Sequence, residues 1–155
     1  TNVTSDRIKH VLKGEFDLAK TGMFESGLHY QKEVKKLMDE GLIELYEMDG
    51  KTLITDSSKL INYAGKNGVV KVKIKKIDYE GKIDFEDKTF FPESWTVDDI
   101  VKSGNEFAKA IKNGNATYKY TSKGSGSMKY TFDYNGMKME GWFNSNATLD
   151  SWYPL

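Results

Sequence analysis

The sequence predicts an α+β fold in a single domain over residues 1–155, with N-terminal helices followed by antiparallel β-sheet. The length of 155 residues is typical of one compact domain. Apolar side chains in two segments of the first 42 residues recur with the period of a helix, and from about residue 43 the period changes to two, as in strands. Near the end of the chain, Asn135-Gly136 is a strong signal for a two-residue hairpin turn.

Three helices are predicted. The first is capped by Ser5 and ends at Gly14, and the second covers residues 30–42. The third follows Thr96, which is one of the preferred residue types for a helix N-cap. Residues 14–28 show little periodicity, so a loop is expected between the first two helices.

The predicted strands occupy two regions. A hairpin is expected around residues 43–54, then a strand at 69–77 in which apolar residues alternate with Lys71, Lys73 and Lys75, and another at 82–85. The last four strands are predicted at 118–121, 128–134, 137–144 and 147–153. Alternation places the three lysines together on one face of their strand.

Composition excludes several classes of protein. There is no cysteine, which rules out disulfide frameworks, thiolate zinc sites and cysteine nucleophiles. No apolar run approaches the ~20 residues of a membrane span. The 23 basic and 23 acidic side chains cancel, which at first argues against nucleic-acid binding.

The zero net charge is the sum of two opposed regions. Residues 77–99 carry a net charge of −6, which leaves +6 for the rest of the chain. The lysines before this segment form a run without acids: Lys66, Lys71, Lys73, Lys75 and Lys76. We expect this run to form a basic face that attracts RNA phosphates, and the acidic segment to be a solvated flank or a contact for a basic partner.

The chain has two histidines, His10 and His29. Two imidazoles that face one phosphodiester can act as base and acid near neutral pH. On spacing alone the ordinary interpretation, two surface or half-buried helix residues, is favoured. A metal site is less favoured still, because no third ligand stands at a suitable spacing.

Lysines and hydroxyls offer further candidates. Lys71, Lys73 and Lys75 could hold a phosphate, although a lysine face on a strand is more often merely solvated. Ser151 and Tyr153 lie two residues apart, hence on one face of the terminal strand, where they could orient a ribose or stack on a base.

Two other functions stay open at this point. A glycan-active enzyme would use a carboxylate pair, for which Asp84, Glu86 and Asp87 are candidates that nothing in the sequence distinguishes from a solvated acidic face. A non-catalytic binding module, such as an immunity or adhesin-type domain, would make both histidines incidental.

Several segments together resemble one family. Residues 10–15 (HVLKGE) and 27–30 (GLHY) resemble the paired-histidine region of bacterial EndoU ribonuclease domains, which read His-Ile-Leu-x-Gly and then Gly-x-His. Residues 89–96 (TFFPESWT) resemble that family's Phe-Phe-Pro-x-x-Trp segment. Residues 151–154 (SWYP) are similar to its closing Thr-x-Tyr-Pro signature, which the coronavirus endoribonuclease also carries.

The resemblance implies an α+β nuclease fold of the barnase, EndoU, colicin and RelE type. It further implies that His10 and His29 are the acid–base pair for attack of a ribose 2′-hydroxyl on phosphorus, giving a 2′,3′-cyclic phosphate and a 5′-hydroxyl. Tyr153 corresponds to a tyrosine near the ribose or base, and Ser151 replaces the more usual threonine while keeping the hydroxyl. No cofactor or metal is implied.

A lysine completes the family's site. Lys73 is the expected residue, with Lys71 its neighbour on the same face. Lys32, Lys35 or Lys36 could serve instead if the helix after His29 folds over the pocket.

Many bacterial EndoU domains are toxic C-terminal parts of large secreted proteins, including contact-dependent inhibition toxins, and each is neutralised by an immunity protein. The expected partners are therefore an RNA substrate, such as tRNA, and a cognate immunity protein, with the domain itself a monomer. The missing initiator Met fits secretion within a longer toxin that acts in the cytoplasm of a target bacterium.

Overall fold

The computed structural model describes residues 2–155 and has the predicted α+β fold. The α-helices are α1 (Ser5–Lys13), α2 (Gln31–Asp39) and α3 (Val97–Lys112), and a 3₁₀ helix covers Ser57–Tyr63. The first six strands are β1 (Glu15–Phe16), β2 (Phe24–Ser26), β3 (Leu45–Tyr46), β4 (Leu53–Ile54), β5 (Val70–Ile77) and β6 (Ile83–Phe90). The last four are β7 (Thr117–Thr121), β8 (Met128–Tyr134), β9 (Met137–Phe143) and β10 (Leu149–Pro154).

The chain divides into two compact units. The central unit is Leu12–Glu93, and the terminal unit combines the residues up to Val11 with Ser94–Leu155. Organisation as a single domain therefore stays a prediction. Among residues 2–155 there is no helix long and apolar enough to cross a membrane.

The central unit is built around an antiparallel sheet with the strand order β4-β3-β5-β6. The apolar series Val70, Val72 and Ile74 is fully buried, which confirms the predicted alternation in β5. These residues pack with Val34 of α2 and Leu60 of the 3₁₀ helix in one hydrophobic cluster. Burial of this apolar area drives the folding of the unit.

Two sequence expectations for the central unit were wrong. The segment 14–28 is not a simple loop, because β1 and β2 pair there and the rings of Phe16 and Phe24 pack edge to face at 5.8 Å. The strand expected at 82–85 is longer, since β6 pairs with β5 along its whole length from Ile83 to Phe90. Both differences arise because each strand is extended or formed by pairing with another strand, and the periodicity within one segment does not reveal such pairing.

The terminal unit packs α3 against one face of an antiparallel sheet with the order β10-β9-β8-β7. Thr96 caps α3 as predicted and forms a reciprocal capping box with Asp99. Gly104 of α3 allows the close approach of Trp152, because a Cβ at Gly104 would lie 2.5 Å from the indole ring. The indole N–H of Trp152 donates to the carbonyl of Ile100 at 3.1 Å, which satisfies the buried donor.

Candidate active site

His29 is buried at the outer edge of β6 and is 5% exposed. Its Nδ1 lies 2.7 Å from the carbonyl oxygen of Thr89. The carbonyl of His29 accepts a hydrogen bond from the amide of Phe91 at 2.9 Å, and the amide side chain of Gln31 donates to the carbonyl of Phe91 at 3.0 Å. His29 is therefore anchored to β6 through both its backbone and its ring.

The bond to Thr89 determines which ring nitrogen of His29 can exchange protons. A carbonyl oxygen only accepts hydrogen bonds, so Nδ1 must carry a hydrogen in this arrangement. In the neutral imidazole, Nε2 is then the basic nitrogen. While the bond to Thr89 is kept, His29 can exchange a proton only at Nε2.

The two residues before His29 turn the backbone sharply. Gly27 and Leu28 have φ values of 76° and 69°, and such a left-handed conformation is uncommon for leucine. Leu28 is completely buried, so its packing holds a conformation that costs about 1–2 kcal/mol. Gly14 lies against this turn, and a Cβ there would come within 2.9 Å of the Cβ of Leu28.

Three of the four lysines on β5 form ion pairs, so only part of the predicted basic face is free positive charge. Lys73 forms an ion pair with Asp87 at 2.7 Å, Lys75 with Glu44 at 3.3 Å, and Lys76 with Glu86 at 3.2 Å. The acids come from β6 and from the residue before β3, which lie beside β5 in the sheet. Regional charge along the chain does not show such pairing, because the partners are far apart in sequence.

The register of the β5–β6 ladder determines which β5 lysine stands opposite Thr89, the residue that contacts the His29 ring. Lys71 stands opposite Thr89, whose carbonyl contacts the His29 ring, whereas Lys73 stands opposite Asp87. Lys73 is thus one strand repeat, about 6.6 Å, further along β5 than Lys71. Lys73 also carries the ion pair with Asp87, which Lys71 lacks among the described residues.

The other lysine candidates lie on α2. Lys32 and Lys36 are exposed on its outer surface, while Lys35 forms an ion pair with Glu93 at 2.7 Å. The helix buries Gln31, Val34 and Leu37 instead. Of the carboxylates considered for glycan chemistry, Glu86 and Asp87 project from opposite faces of β6 and each contacts a lysine. Asp84 accepts a hydrogen bond from the amide of Phe85 at 2.8 Å.

One lysine that sequence reasoning missed is buried. Lys88 is 9% exposed and its Nζ lies 4.9 Å from the centre of the Phe24 ring. Desolvation by burial lowers the pKa of Lys88 to about 7. It precedes Thr89 in β6, but alternation along the strand turns its side chain into the core of the central unit. In the sequence Lys88 follows several acidic residues, a pattern that does not predict a buried lysine.

In the terminal unit, Ser151 and Tyr153 project from β10 on the face of the sheet turned away from α3, here called the site face. Trp152 between them is buried against α3. The hydroxyl of Tyr153 donates to the carboxylate of Glu140 on β9 at 2.6 Å. Burial, together with this hydrogen bond, raises the pKa of Tyr153 far above its ordinary value. The phenol is therefore a weaker acid than that of an ordinary tyrosine.

Glu140 belongs to a larger polar cluster on the site face. Its carboxylate lies 3.6 Å from Lys129 on β8. The Lys129 ammonium sits between the rings of Tyr120 and Trp142, 5.0 Å and 4.9 Å from their centres. Sequence reasoning missed Glu140 and Lys129, because their proximity to Tyr153 depends on the register of three strands.

His10 lies on α1, one turn after Arg7. The Arg7 guanidinium contacts the carbonyl of Asp150, next to Ser151, at 3.5 Å. The terminal unit thus holds His10, Ser151 and Tyr153, and the central unit holds His29 and Lys73. Within residues 2–155 no group of three or more His, Cys, Asp or Glu side chains is arranged to hold a metal ion.

Comparison with known proteins identifies the family. The model of the family described as bacterial EndoU nuclease matches residues 4–155, essentially the whole chain. The protein belongs to the bacterial EndoU nuclease family. No curated protein and no solved structure matches the chain significantly.

The Phe-Phe-Pro segment of this EndoU nuclease is structural. Phe90 and Phe91 are completely buried, and Pro92 packs against Gly68, where a Cβ would lie 3.0 Å from the proline ring. Trp95 packs edge to face on Tyr134 in the terminal unit, with ring centres 6.0 Å apart. The segment anchors the backbone next to His29, through the carbonyl of Thr89 and the amide of Phe91.

Proposed function

We propose that this EndoU nuclease is an RNA endonuclease that cleaves by attack of a ribose 2′-hydroxyl, with His10 and His29 as its acid–base pair. The family match over residues 4–155 supports a nuclease. The role of His29 is supported by the hydrogen bond from its Nδ1 to the Thr89 carbonyl, because this bond leaves Nε2 as the basic nitrogen of the neutral ring.

The reaction proceeds in one in-line displacement. One histidine takes the proton of the 2′-hydroxyl while O2′ forms a bond to phosphorus, and the bond from phosphorus to O5′ breaks. The other histidine protonates the departing O5′. The products are a 2′,3′-cyclic phosphate and a 5′-hydroxyl. One bond to phosphorus forms as another breaks, and one proton is taken as another is given. The two histidines therefore complete the proposed step without a metal ion.

Other residues would stabilise charge and hold the substrate. A lysine would neutralise the developing charge on the phosphoryl oxygens. Lys73 serves here if the substrate phosphate displaces Asp87, and Lys71 is the alternative closer to Thr89. Tyr153 contributes a hydrogen bond or ring packing rather than a proton, since its raised pKa makes the phenol a poor acid. Ser151 contributes a hydroxyl beside it.

The test is cleavage of total RNA by the purified protein in the presence of a chelator. We expect 2′,3′-cyclic phosphate and 5′-hydroxyl ends, and a loss of at least about 100-fold in activity for His10→Ala and for His29→Ala. His29→Asn is the matched control for folding, because the asparagine amide can still donate to the Thr89 carbonyl while Nε2 is removed. An active His29→Asn variant, or intact RNA at high enzyme concentration, would refute the proposal.

We propose further that the domain is the toxic part of a larger secreted protein, acts in the cytoplasm of a target bacterium on an RNA such as tRNA, and is neutralised by an immunity protein. The resemblance to toxin-borne EndoU domains supports this role. Expression in the bacterial cytosol should stop growth, and sequencing of RNA 5′-hydroxyl ends should identify the substrate. Growth unaffected by the wild-type chain, or arrested equally by His10→Ala, would contradict it.

A further inference from the structure

The site face of the terminal sheet carries a small polar cavity at its far edge. The cavity has a volume of about 200 Å³. Its polar lining comes from β7, β8, β9 and the residue Asn115 before β7, namely Asn115, Thr117, Lys119, Thr131, Asp133 and Lys138. Neither the sequence motifs nor the proposed chemistry uses these residues.

The size of the cavity limits what it can hold. It is much larger than the ~30 Å³ that a water molecule occupies, and smaller than the ~300–1,000 Å³ of pockets that enclose organic ligands. A tetrahedral oxyanion fits this range, whereas a whole nucleotide does not. By size alone, the cavity can take a single phosphate-sized group, including one that belongs to a larger molecule.

The charges of the lining favour an anion. Lys119 and Lys138 form no ion pair with any carboxylate of residues 2–155, in contrast to Lys73, Lys75 and Lys76 of β5. The hydroxyls of Thr117 and Thr131 and the amide of Asn115 add neutral hydrogen-bond donors. Asp133, opposite Lys138 in the β8–β9 ladder, is the single carboxylate of the lining and opposes an anion.

The cavity is aligned with the residues that match the family's closing motif. Across the sheet, Tyr153 stands opposite Glu140, Glu140 opposite Thr131, and Thr131 opposite Thr117. With strands about 4.8 Å apart, Thr131 lies about 10 Å and Thr117 about 14 Å from Tyr153 on the same face. A single RNA strand that contacts Tyr153 reaches this distance with a few nucleotides.

We propose that the cavity around Lys119 and Lys138 binds a backbone phosphate of the RNA substrate at a distance from the cleaved bond. The inference rests on the proposed function, because it takes RNA as the ligand. Contacts to phosphates fix the position of a nucleic acid without reading its sequence. The cavity therefore raises affinity for oligonucleotides and has no part in the acid–base steps.

The binding test uses an uncleavable 2′-O-methyl RNA of about 12 nucleotides, followed by fluorescence anisotropy between about 50 and 200 mM salt. Lys119→Gln and Lys138→Gln should each weaken binding about five- to tenfold and lower the slope of log K against log salt by about 0.7–1. Asp133→Asn should strengthen binding, which loss of structure could not do. Lys102→Gln, on the exposed surface of α3, is the matched control and should bind as the wild type does.

The cleavage test separates this inference from the proposed function. On a long RNA the two lysine variants should raise KM with little change in kcat, and on a dinucleotide they should cleave as the wild type does. Unchanged RNA affinity and KM in both lysine variants would overturn the phosphate site even if the wild type cleaves RNA. A wild type that binds RNA through Lys119 and Lys138 but never cleaves it would overturn only the nuclease mechanism. Binding of inorganic phosphate alone, without any effect on RNA, would also overturn the inference.

Discussion

The hydroxyl of Tyr153 donates to the carboxylate of Glu140 at 2.6 Å, across the β9–β10 ladder. The same carboxylate lies 3.6 Å from Lys129, so it links a residue of the closing family motif to a lysine two strands away. A charged acceptor holds the phenol more firmly than a neutral one would. Glu140 thus positions Tyr153, although it lies outside every family motif that the sequence shows.

Replacing Glu140 by Gln should lower the pKa of Tyr153, because a neutral amide no longer disfavours the phenolate. The pKa should stay above the ordinary value, since burial is the largest cause of its rise. Ultraviolet titration of the tyrosines measures this change, with Tyr153→Phe identifying the signal. We also expect the free energy of unfolding of Tyr153→Phe to fall by about 1–2 kcal/mol. Equal free energies of unfolding for Tyr153→Phe and the wild type would contradict the assigned bond.

The neutral form of His29 should carry its hydrogen on Nδ1. The Thr89 carbonyl, 2.7 Å away, requires a donor at that nitrogen. Nitrogen NMR distinguishes a protonated ring nitrogen from a basic one, and the signals can be assigned by comparison with His10→Ala. A neutral form protonated on Nε2 would show that the ring is held differently and would remove the basis for its proposed role.

Lys88 should make the stability of the protein increase with pH. Its pKa is about 7 in the folded state against 10.5 ordinarily, so between these values the unfolded chain binds the proton and the folded one does not. The free energy of unfolding therefore rises from pH 7 to about 10, and below pH 7 this contribution no longer changes.

Lys88→Met should weaken this pH dependence and raise the free energy of unfolding at pH 7 by about 1 kcal/mol or more. Denaturant unfolding at several pH values measures both effects. Lys71→Met, at an exposed position of β5, is the control and should leave the pH dependence unchanged. The same slope in Lys88→Met and wild type would contradict the burial of this ammonium group.

Gly104→Ala should destabilise the terminal unit. The new methyl group would lie 2.5 Å from the ring of Trp152, which is completely buried and cannot move aside easily. A loss of about 3 kcal/mol is expected, at the upper end for overpacked cores. Urea unfolding measures it, and Gly124→Ala, with nothing within 4 Å, is the neutral control. Equal stability of the two variants would refute the contact.

The sequence by itself determined the features that depend on neighbours along the chain. Thr96 and Asp99 lie three residues apart, so the capping box of α3 follows from local chemistry. The alternation in β5 predicted the burial of Val70, Val72 and Ile74, because period two places them on one face. The family resemblance rested on short motifs of the same local kind.

Only the tertiary structure decided which distant residues meet. The pairing of Lys73 with Asp87 and of Tyr153 with Glu140 depends on strand register, and β10 contains an irregularity between Leu149 and Ser151 that shifts this register. A shift of one residue would turn Tyr153 to the opposite face. The bond between His29 and Thr89 joins residues 60 positions apart. Such contacts follow from the packing of whole sheets, which no local pattern specifies.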